Sequence, residues 1–441
     1  MRVLVAHNAY RSDQPSGENA VVDDEIASLR AVPGVEVIEF RRSSDEIDEF
    51  GPLARLALPL RPLWSPGSQR QLREVISSTR PDVLHLHNPY PLISPMVVRT
   101  AKAAGVPVVQ TVHNHRLACV SGTLERAGAS CDACVGKRFP TPSVRHGCYR
   151  GSRAQSLVMA GTLAVHKPTW QLVDRFLALT PALVAFLGRC GIRAEQITVK
   201  ANSVPEPDAV TFGGEGFVYV GRLVEEKGIR LLLDAWTRYP VGSLGPLHVV
   251  GSGPLDGHVA QVASTRPDIL VHGRLTPAET MAVMRRARVT VIPSTCPETF
   301  SRVAAESLAL ARPVLATNVG GLPHVVPQDG GWLTAPTVDG LWHGLRRAAG
   351  EASDAHGRVA RLAYVERYSE AVVTAQLLGV YDSLVARESS VATPAPTDVP
   401  VPAPRRAPDA LSERSGRRVP AAPSGEGSDA ETPGAADPWH L

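Results

Sequence analysis

Lysine is scarce in this chain. Five of the 441 residues are lysine, and nearly all of the 46 basic residues are arginine. Against 43 acidic residues the formal net charge is only +3, so the electrostatic footprint of a nucleic-acid binder is missing. Long apolar runs are missing too. The longest, around "SLVMAGTLAV" (156–165), is too short to cross a bilayer. The opening "MRVLVAHNAY" makes a poor leader peptide, because its apolar stretch is short and runs straight into His7 and Asn8. These absences lead us to expect a cytoplasmic protein whose six cysteines are reduced or metal-bound rather than paired as disulfides. Also missing are a Walker A loop and an acidic pair closing a strand, of the kind that demands Mg²⁺.

What is present is alternation. Short apolar runs ("VLVA", "VEVIEF", "VLHLH", "PVVQTVH", then "FVYVG", "LHVVG", "ILVHG", "VTVIPS", "PVLATN") are separated by amphipathic stretches such as "NAVVDDEIASLRA" and "SRVAAESLALA". That pattern predicts parallel βα units, and hence an α/β protein of two doubly wound, Rossmann-like domains. The pattern breaks at residues 112–152, which read as a cysteine-containing loop insert, and at 200–215, which read as a linker. We therefore expect a first domain over 1–199, a linker over 200–213 and a second domain over 214–365. Beyond about residue 388 proline, alanine, serine and glycine dominate, and large apolar residues almost vanish. A segment of that composition cannot bury enough surface to fold, so 388–441 is expected to be disordered.

Ligands of open parallel sheets bind off the carboxyl ends of the strands. In the second half four such ends carry something distinctive. "FVYV" is followed by "GRLVEEKG", with Gly221, Arg222 and Lys227; "LHVV" by "GSGPL", with Gly251 and Gly253; "PVLATN" by "VGGLP"; and "VTVIPS" by "TCPETFSRVAAESLA". A guanidinium and an ammonium five residues apart suit a diphosphate. Singly, each of these features reads equally well as a surface charge or a turn glycine. Glu298 and Glu306 lie eight residues apart. On one helix they would differ by roughly 80° around the axis and two turns in height. They cannot then share a proton, but a loop Glu298 and a helical Glu306 would reach opposite ends of a long ligand.

Taken together, "VGRLVEEKG…VGSGPL…PETFSRVAAES…VGGLP" resembles the nucleotide-sugar-binding half of family 4 retaining glycosyltransferases of the GT-B fold, whose E-x7-E motif matches the spacing of Glu298 and Glu306. The resemblance extends over roughly residues 1–386. It implies metal-independent transfer of a sugar, with its anomeric configuration kept, from a nucleotide-sugar donor to a glycan, lipid-linked or other hydroxyl acceptor in polysaccharide or glycoconjugate biosynthesis. It also implies roles. Arg222 and Lys227 would neutralise the leaving diphosphate, Glu306 would hold the ribose hydroxyls, and Glu298 would hold the transferred sugar. Gly17, Gly221, Gly251, Gly253, Thr299, Phe300 and Ser301 would line the donor, and His113 in "TVHNH" would touch the transferred sugar near the reacting carbon. Residues 366–387 resemble the family's last helix, which crosses back to the first domain. The chain departs from the family pattern at Ser16, where glycine is usual, and at Ser301, Ala311 and His324.

Cys119, Cys131, Cys134 and Cys148 are spaced C-x11-C-x2-C-x13-C. A C-x2-C between two outlying cysteines reads as a tetrahedral thiolate site, with structural zinc the first choice and an iron–sulfur cluster or four plain thiols the others. The insert's basic residues (Arg126, Lys137, Arg138, Arg145, Arg150, Arg153) suit a phosphorylated acceptor or an anionic membrane surface, and equally a solvated face. The alternative to a transferase is a catalytically silent nucleotide-sugar-binding or scaffold subunit. A nucleotide-sugar epimerase is a third reading, which the E-x7-E spacing disfavours.

Overall fold

The computed structural model describes residues 1–13 and 16–391; the side chains of 387–391 are not described. Most of the expected tail lies outside the described residues. Among the described residues, twelve of fourteen strands form two six-stranded parallel sheets. The first sheet contains β1 (Arg2–Ala9), β2 (Glu36–Ser43), β3 (Val83–Leu86), β4 (Val108–Val112), β7 (Arg175–Ala178) and β8 (Ile197–Val199), in the order β2-β1-β3-β4-β7-β8. A two-stranded hairpin, β5 (Glu125–Arg126) and β6 (Ala129–Ser130), lies between β4 and β7 in the chain. The second sheet contains β9 (Phe217–Val220), β10 (Leu247–Val250), β11 (Ile269–Gly273), β12 (Val289–Ile292), β13 (Val314–Thr317) and β14 (Gly331–Thr334), in the order β11-β10-β9-β12-β13-β14.

Both sheets are covered on both faces, which is why central strands such as β3, β4 and β12 are buried along their whole length and mostly apolar. On one face of the first sheet Leu4, Leu84, Leu86, Val108 and Phe176 form a buried cluster with Leu72 and Val97 of the flanking helices. On the other, Val3, Val5, Val83 and Val109 pack with Val22 and Ile26 of the helix Gly17–Arg30 and with Leu377, Tyr381 and Leu384. The last three belong to the helix Glu370–Val391, which therefore docks on the first sheet and runs past residue 387. The second sheet buries Phe217, Val249, Val289 and Leu315 on one face and Ile292, Val314 and Ala316 on the other.

Three strands of the two large sheets are absent from the sequence reading: β7, β8 and β14. β7 opens on Arg175, β8 is a three-residue edge strand, and β14 opens on Gly331, so none shows a clean apolar run. The insert is mostly loop, as expected, with only the β5–β6 hairpin and the helix Thr141–His146 as regular structure. Strand order reverses between β1 and β3 in the first sheet and between β9 and β12 in the second. Ligand crevices of doubly wound sheets open at such switch points.

Candidate active site

The β9 and β12 ends carry the charged residues expected from sequence. The loop after β9 holds Arg222 and Lys227, pinned by a hydrogen bond from the Tyr219 hydroxyl to the Arg222 carbonyl at 2.8 Å. The Arg222 side chain is 64% exposed and lies 3.4 Å from Glu226, so it is free to swing onto an anion. After β12, Glu298 sits in a loop, and Ser301 caps the helix Arg302–Ala309 that carries Glu306. The eight-residue spacing is thus resolved as loop and helix, not one helix face.

Each acid has one oxygen engaged. Glu298 Oε1 accepts from the Lys227 ammonium at 2.8 Å and from the Ser294 hydroxyl. Glu306 Oε1 accepts from Arg302 Nε at 2.7 Å. Among the described residues, Oε2 of either acid has no hydrogen-bond donor, so both carboxylates keep an acceptor for a ligand. Burial raises the Glu306 carboxyl above its usual range, and the Arg302 guanidinium works against that rise. Arg302 also reaches Asp24 of the first domain at 2.8 Å. It was not singled out from sequence, although its position four residues before Glu306 on a helix was the available signal.

The glycines do something other than expected. The N–H of Gly221 bonds to the Val250 carbonyl, that of Gly251 to the Gly273 carbonyl, and that of Gly253 to Asp256 Oδ1 at 2.8 Å. None of the three N–H groups is left for a phosphate. Their role here is close packing of loops. A Cβ on Gly251 (φ +136°) would fall 1.9 Å from the Gly221 carbonyl oxygen, and one on Gly253 would fall 2.6 Å from that of Leu223. Ser301, expected to face the donor, is buried, and its hydroxyl accepts from Ala304 N–H at 3.3 Å. The N–H groups of Thr299 and Phe300 make no hydrogen bond among the described residues. Gly17 begins its helix with open space where a Cβ would stand.

The loop after β12 is tied to the first domain. The Thr299 hydroxyl donates to the His113 carbonyl at 2.7 Å, and the Thr180 hydroxyl donates to the Thr299 carbonyl at 3.0 Å. His113, just beyond β4, is thereby placed beside Glu298. A pocket next to it is lined by Glu18, His87, Tyr90, Asn114 and Arg116. Burial pushes the Glu18 carboxyl up to about 7, although Arg116 and the Tyr10 hydroxyl at 3.1 Å favour its ionised form. Burial, reinforced by His87, holds the His113 imidazole well below its usual value, so it is neutral.

Residues 16–203 match the glycosyl transferase 4-like domain family, and residues 214–349 match the glycosyl transferases group 1 family. The chain belongs to the GT-B glycosyltransferases. It is 25% identical over 347 residues to a phosphatidyl-myo-inositol mannosyltransferase of Mycobacterium tuberculosis, covering 74% of this chain and 80% of that protein. An uncharacterized glycosyltransferase of Methanocaldococcus jannaschii is 32% identical over 111 residues, which is 25% of this glycosyltransferase but only 30% of the relative's length. Anabaena HepE, solved with UDP, has a TM-score of 0.59 at 16% identity, covering 87% of this chain and all of that one, and so shares the fold.

The four insert cysteines of this glycosyltransferase share a neighbourhood. Burial, then the other insert thiols, raise the Cys134 and Cys148 thiols above their usual range. They do not reach ligand spacing. Among the described residues, the group whose ligand atoms lie within 4.8 Å of one another is Glu25, His85 and His87. There the Lys200 ammonium already sits on Glu25 Oε2 and takes a cation's place. No described helix is long and apolar enough to cross a membrane.

Proposed function

We propose that this glycosyltransferase is a retaining, metal-independent enzyme using a nucleotide-sugar donor in glycan or glycoconjugate synthesis. One observation carries the reading: Glu298 and Glu306 each keep an oxygen without a partner, on either side of a loop with free N–H groups and beside Lys227 and Arg222. Glu306 accepts the ribose hydroxyls, Thr299 and Phe300 N–H groups meet the phosphates, and Glu298 accepts from the sugar. The bond from C1 to the β-phosphate oxygen breaks, and the diphosphate leaves with the electron pair. Arg222 and Lys227 offset its charge. The acceptor oxygen joins C1 on the same face, and its proton passes to the departing phosphate oxygen. The UDP and UDP-glucose complexes of HepE support a nucleotide donor by fold likeness.

The acceptor is a lipid-linked or other hydroxyl met from the first domain. Leu53, Leu56, Leu60 and Trp64 are all more than half exposed within twelve residues, interleaved with Arg55 and Arg61. That composition fits the surface of an anionic bilayer. Cys119, Cys131, Cys134 and Cys148 would hold a structural zinc, which would tie the insert together.

Titration with UDP, GDP and their hexose conjugates, followed by transfer assays with the conjugate that binds, tests the reading. Micromolar binding with product of retained configuration is expected. Binding without turnover on any hydroxyl acceptor would instead favour the silent scaffold subunit. No binding to any of these ligands would overturn both.

A further inference from the structure

A chain of side chains runs from the core of the first domain to His113. Glu25, on the helix Gly17–Arg30, is 6% exposed. Burial alone would raise its carboxyl, but the Lys200 ammonium and contacts from His85 and His87 overrule burial and hold it well below the usual range. It is therefore a carboxylate and only accepts. His87 Nε2 stands 3.2 Å from Glu25 Oε1, and His87 Nδ1 stands 2.9 Å from His113 Nε2, with the two rings within 19° of parallel. On the far side His85 Nδ1 contacts Glu25 Oε1 at 3.1 Å and the Tyr381 hydroxyl at 2.6 Å, which steadies the carboxylate.

The protons on this chain are not interchangeable. His87 is buried, and burial and then His85 push it down to about 4, so it carries one N–H at neutral pH. The Glu25–His87 contact lies off the ring's N–H axis, and neither atom has a better-aligned partner. Its sign still decides the tautomer. A carboxylate oxygen 3.2 Å away repels a lone pair on Nε2 and attracts an N–H there. With the proton on Nε2, His87 Nδ1 must accept, so His113 Nε2 must donate. A neutral His113 then has its remaining lone pair on Nδ1, for which no partner exists among the described residues.

We infer that Glu25 and His87 are positioning residues that lock His113 in the Nε2–H tautomer, leaving Nδ1 as an acceptor for a hydroxyl of the transferred sugar. The lock keeps a donor from being presented where a hydroxyl must be held. Metal-bound histidines show the same logic, in which the bond made by one ring nitrogen fixes the role of the other. The tautomer rests on these distances together with the charges that burial and the Lys200 ammonium impose on Glu25, His87 and His113; its catalytic consequence rests on the glycosyl-transfer reading above.

Long-range ¹H–¹⁵N spectra of the full-length protein labelled at histidine, with His113 assigned by comparison with His113→Asn, read the tautomer directly. His113 should have an unprotonated Nδ1. His87→Leu removes the acceptor, and the Nδ1–H form should appear. His87→Gln, whose amide both donates and accepts, should restore the wild-type form. Should His87→Leu not fold, Glu25→Gln tests the same link, since an amide has no fixed sign toward His87 Nε2. An Nδ1–H His113 in the wild type, or a tautomer unmoved by His87→Leu and Glu25→Gln, would overturn the lock. In transfer assays His87→Leu should lower kcat about tenfold with donor KM within about threefold, as for one lost hydrogen bond, and His87→Gln should recover most of it. An altered tautomer with unaltered kcat would remove the catalytic role. A wild-type protein that transfers no sugar would refute the proposed function, while the spectra would still decide the lock.

Discussion

Lys227→Ala takes away a charge with two duties. In the resting site its ammonium lies 2.8 Å from Glu298 Oε1, with the lysine side chain about a third exposed and the glutamate 11% exposed. At an effective dielectric of about 20 the gross attraction is roughly 6 kcal/mol, most of it offset by desolvation and screening. The folded state should therefore lose little, about 1 kcal/mol, and the melting temperature a few degrees. The larger effect falls on the reaction. As the diphosphate leaves, negative charge grows beside Lys227, and removing one preorganised donor to such charge typically costs about 2.7–4 kcal/mol. That is roughly a 10²–10³-fold fall in kcat. Arg222→Ala should do the same to kcat with still less effect on melting, because the Arg222 side chain is 64% exposed and among the described residues its one ion pair is the 3.4 Å contact with Glu226. Initial rates at saturating donor, with circular dichroism melts of the same preparations, separate the two duties. If both variants turn over within threefold of wild type, the charge of the leaving group is handled elsewhere and the assigned site is wrong.

Glu306→Ala should weaken binding of bare UDP or GDP by about tenfold or more, because the ribose loses a charged acceptor, whereas Glu298→Ala should leave that binding within about twofold and lower kcat; calorimetric titration of both variants with the bare diphosphate decides. Glu18 has a folded pKa of about 7, raised first by burial, so between about pH 4.5 and 7 the folded state holds a proton that the unfolded chain has lost. Stability then falls as pH rises through that window, and Glu18→Gln should remove the slope, gaining on the order of 2 kcal/mol at pH 8 by denaturant melts at several pH values. Cys131→Ser and Cys134→Ser should lose one equivalent of zinc by elemental analysis, keep nucleotide binding and transfer poorly; less than about a tenth of an equivalent in untagged wild-type protein would mean the four cysteines are only thiols.

The fold was legible where strands are buried on both faces. "VLHL" and "VVQTV" are apolar or fully buried throughout because helices cover both sides of the sheet. The misses, β7, β8 and β14, share a different physics. Each is three or four residues long and takes its place from pairing with a neighbour already laid down: β7 against β4, β8 against β7, and β14 against β13. An arginine heads β7, β8 has three residues and a glycine heads β14, so none of them offers the apolar run that announces the others.

The site divides along the same line. The placement of Arg222, Lys227, Glu298 and Glu306 around the β9 and β12 ends was readable because a sequence shows both charge and strand-end position. The glycines were misread because a sequence shows that a Cβ is absent but not what stands where it would be; at Gly251 a carbonyl oxygen occupies that space, 1.9 Å away, rather than a ligand. What went unread are contacts across the two halves. Asp24 and Arg302 are separated by 278 positions yet lie 2.8 Å apart, and the Thr299 hydroxyl reaches the His113 carbonyl over 186 positions. These links bind the loop that carries Glu298 to the strand end that carries His113. In the proposed reaction an acid from one domain and an imidazole from the other would face one ligand without either being held by its own domain alone, so the precision of the site would depend on how closely the halves meet.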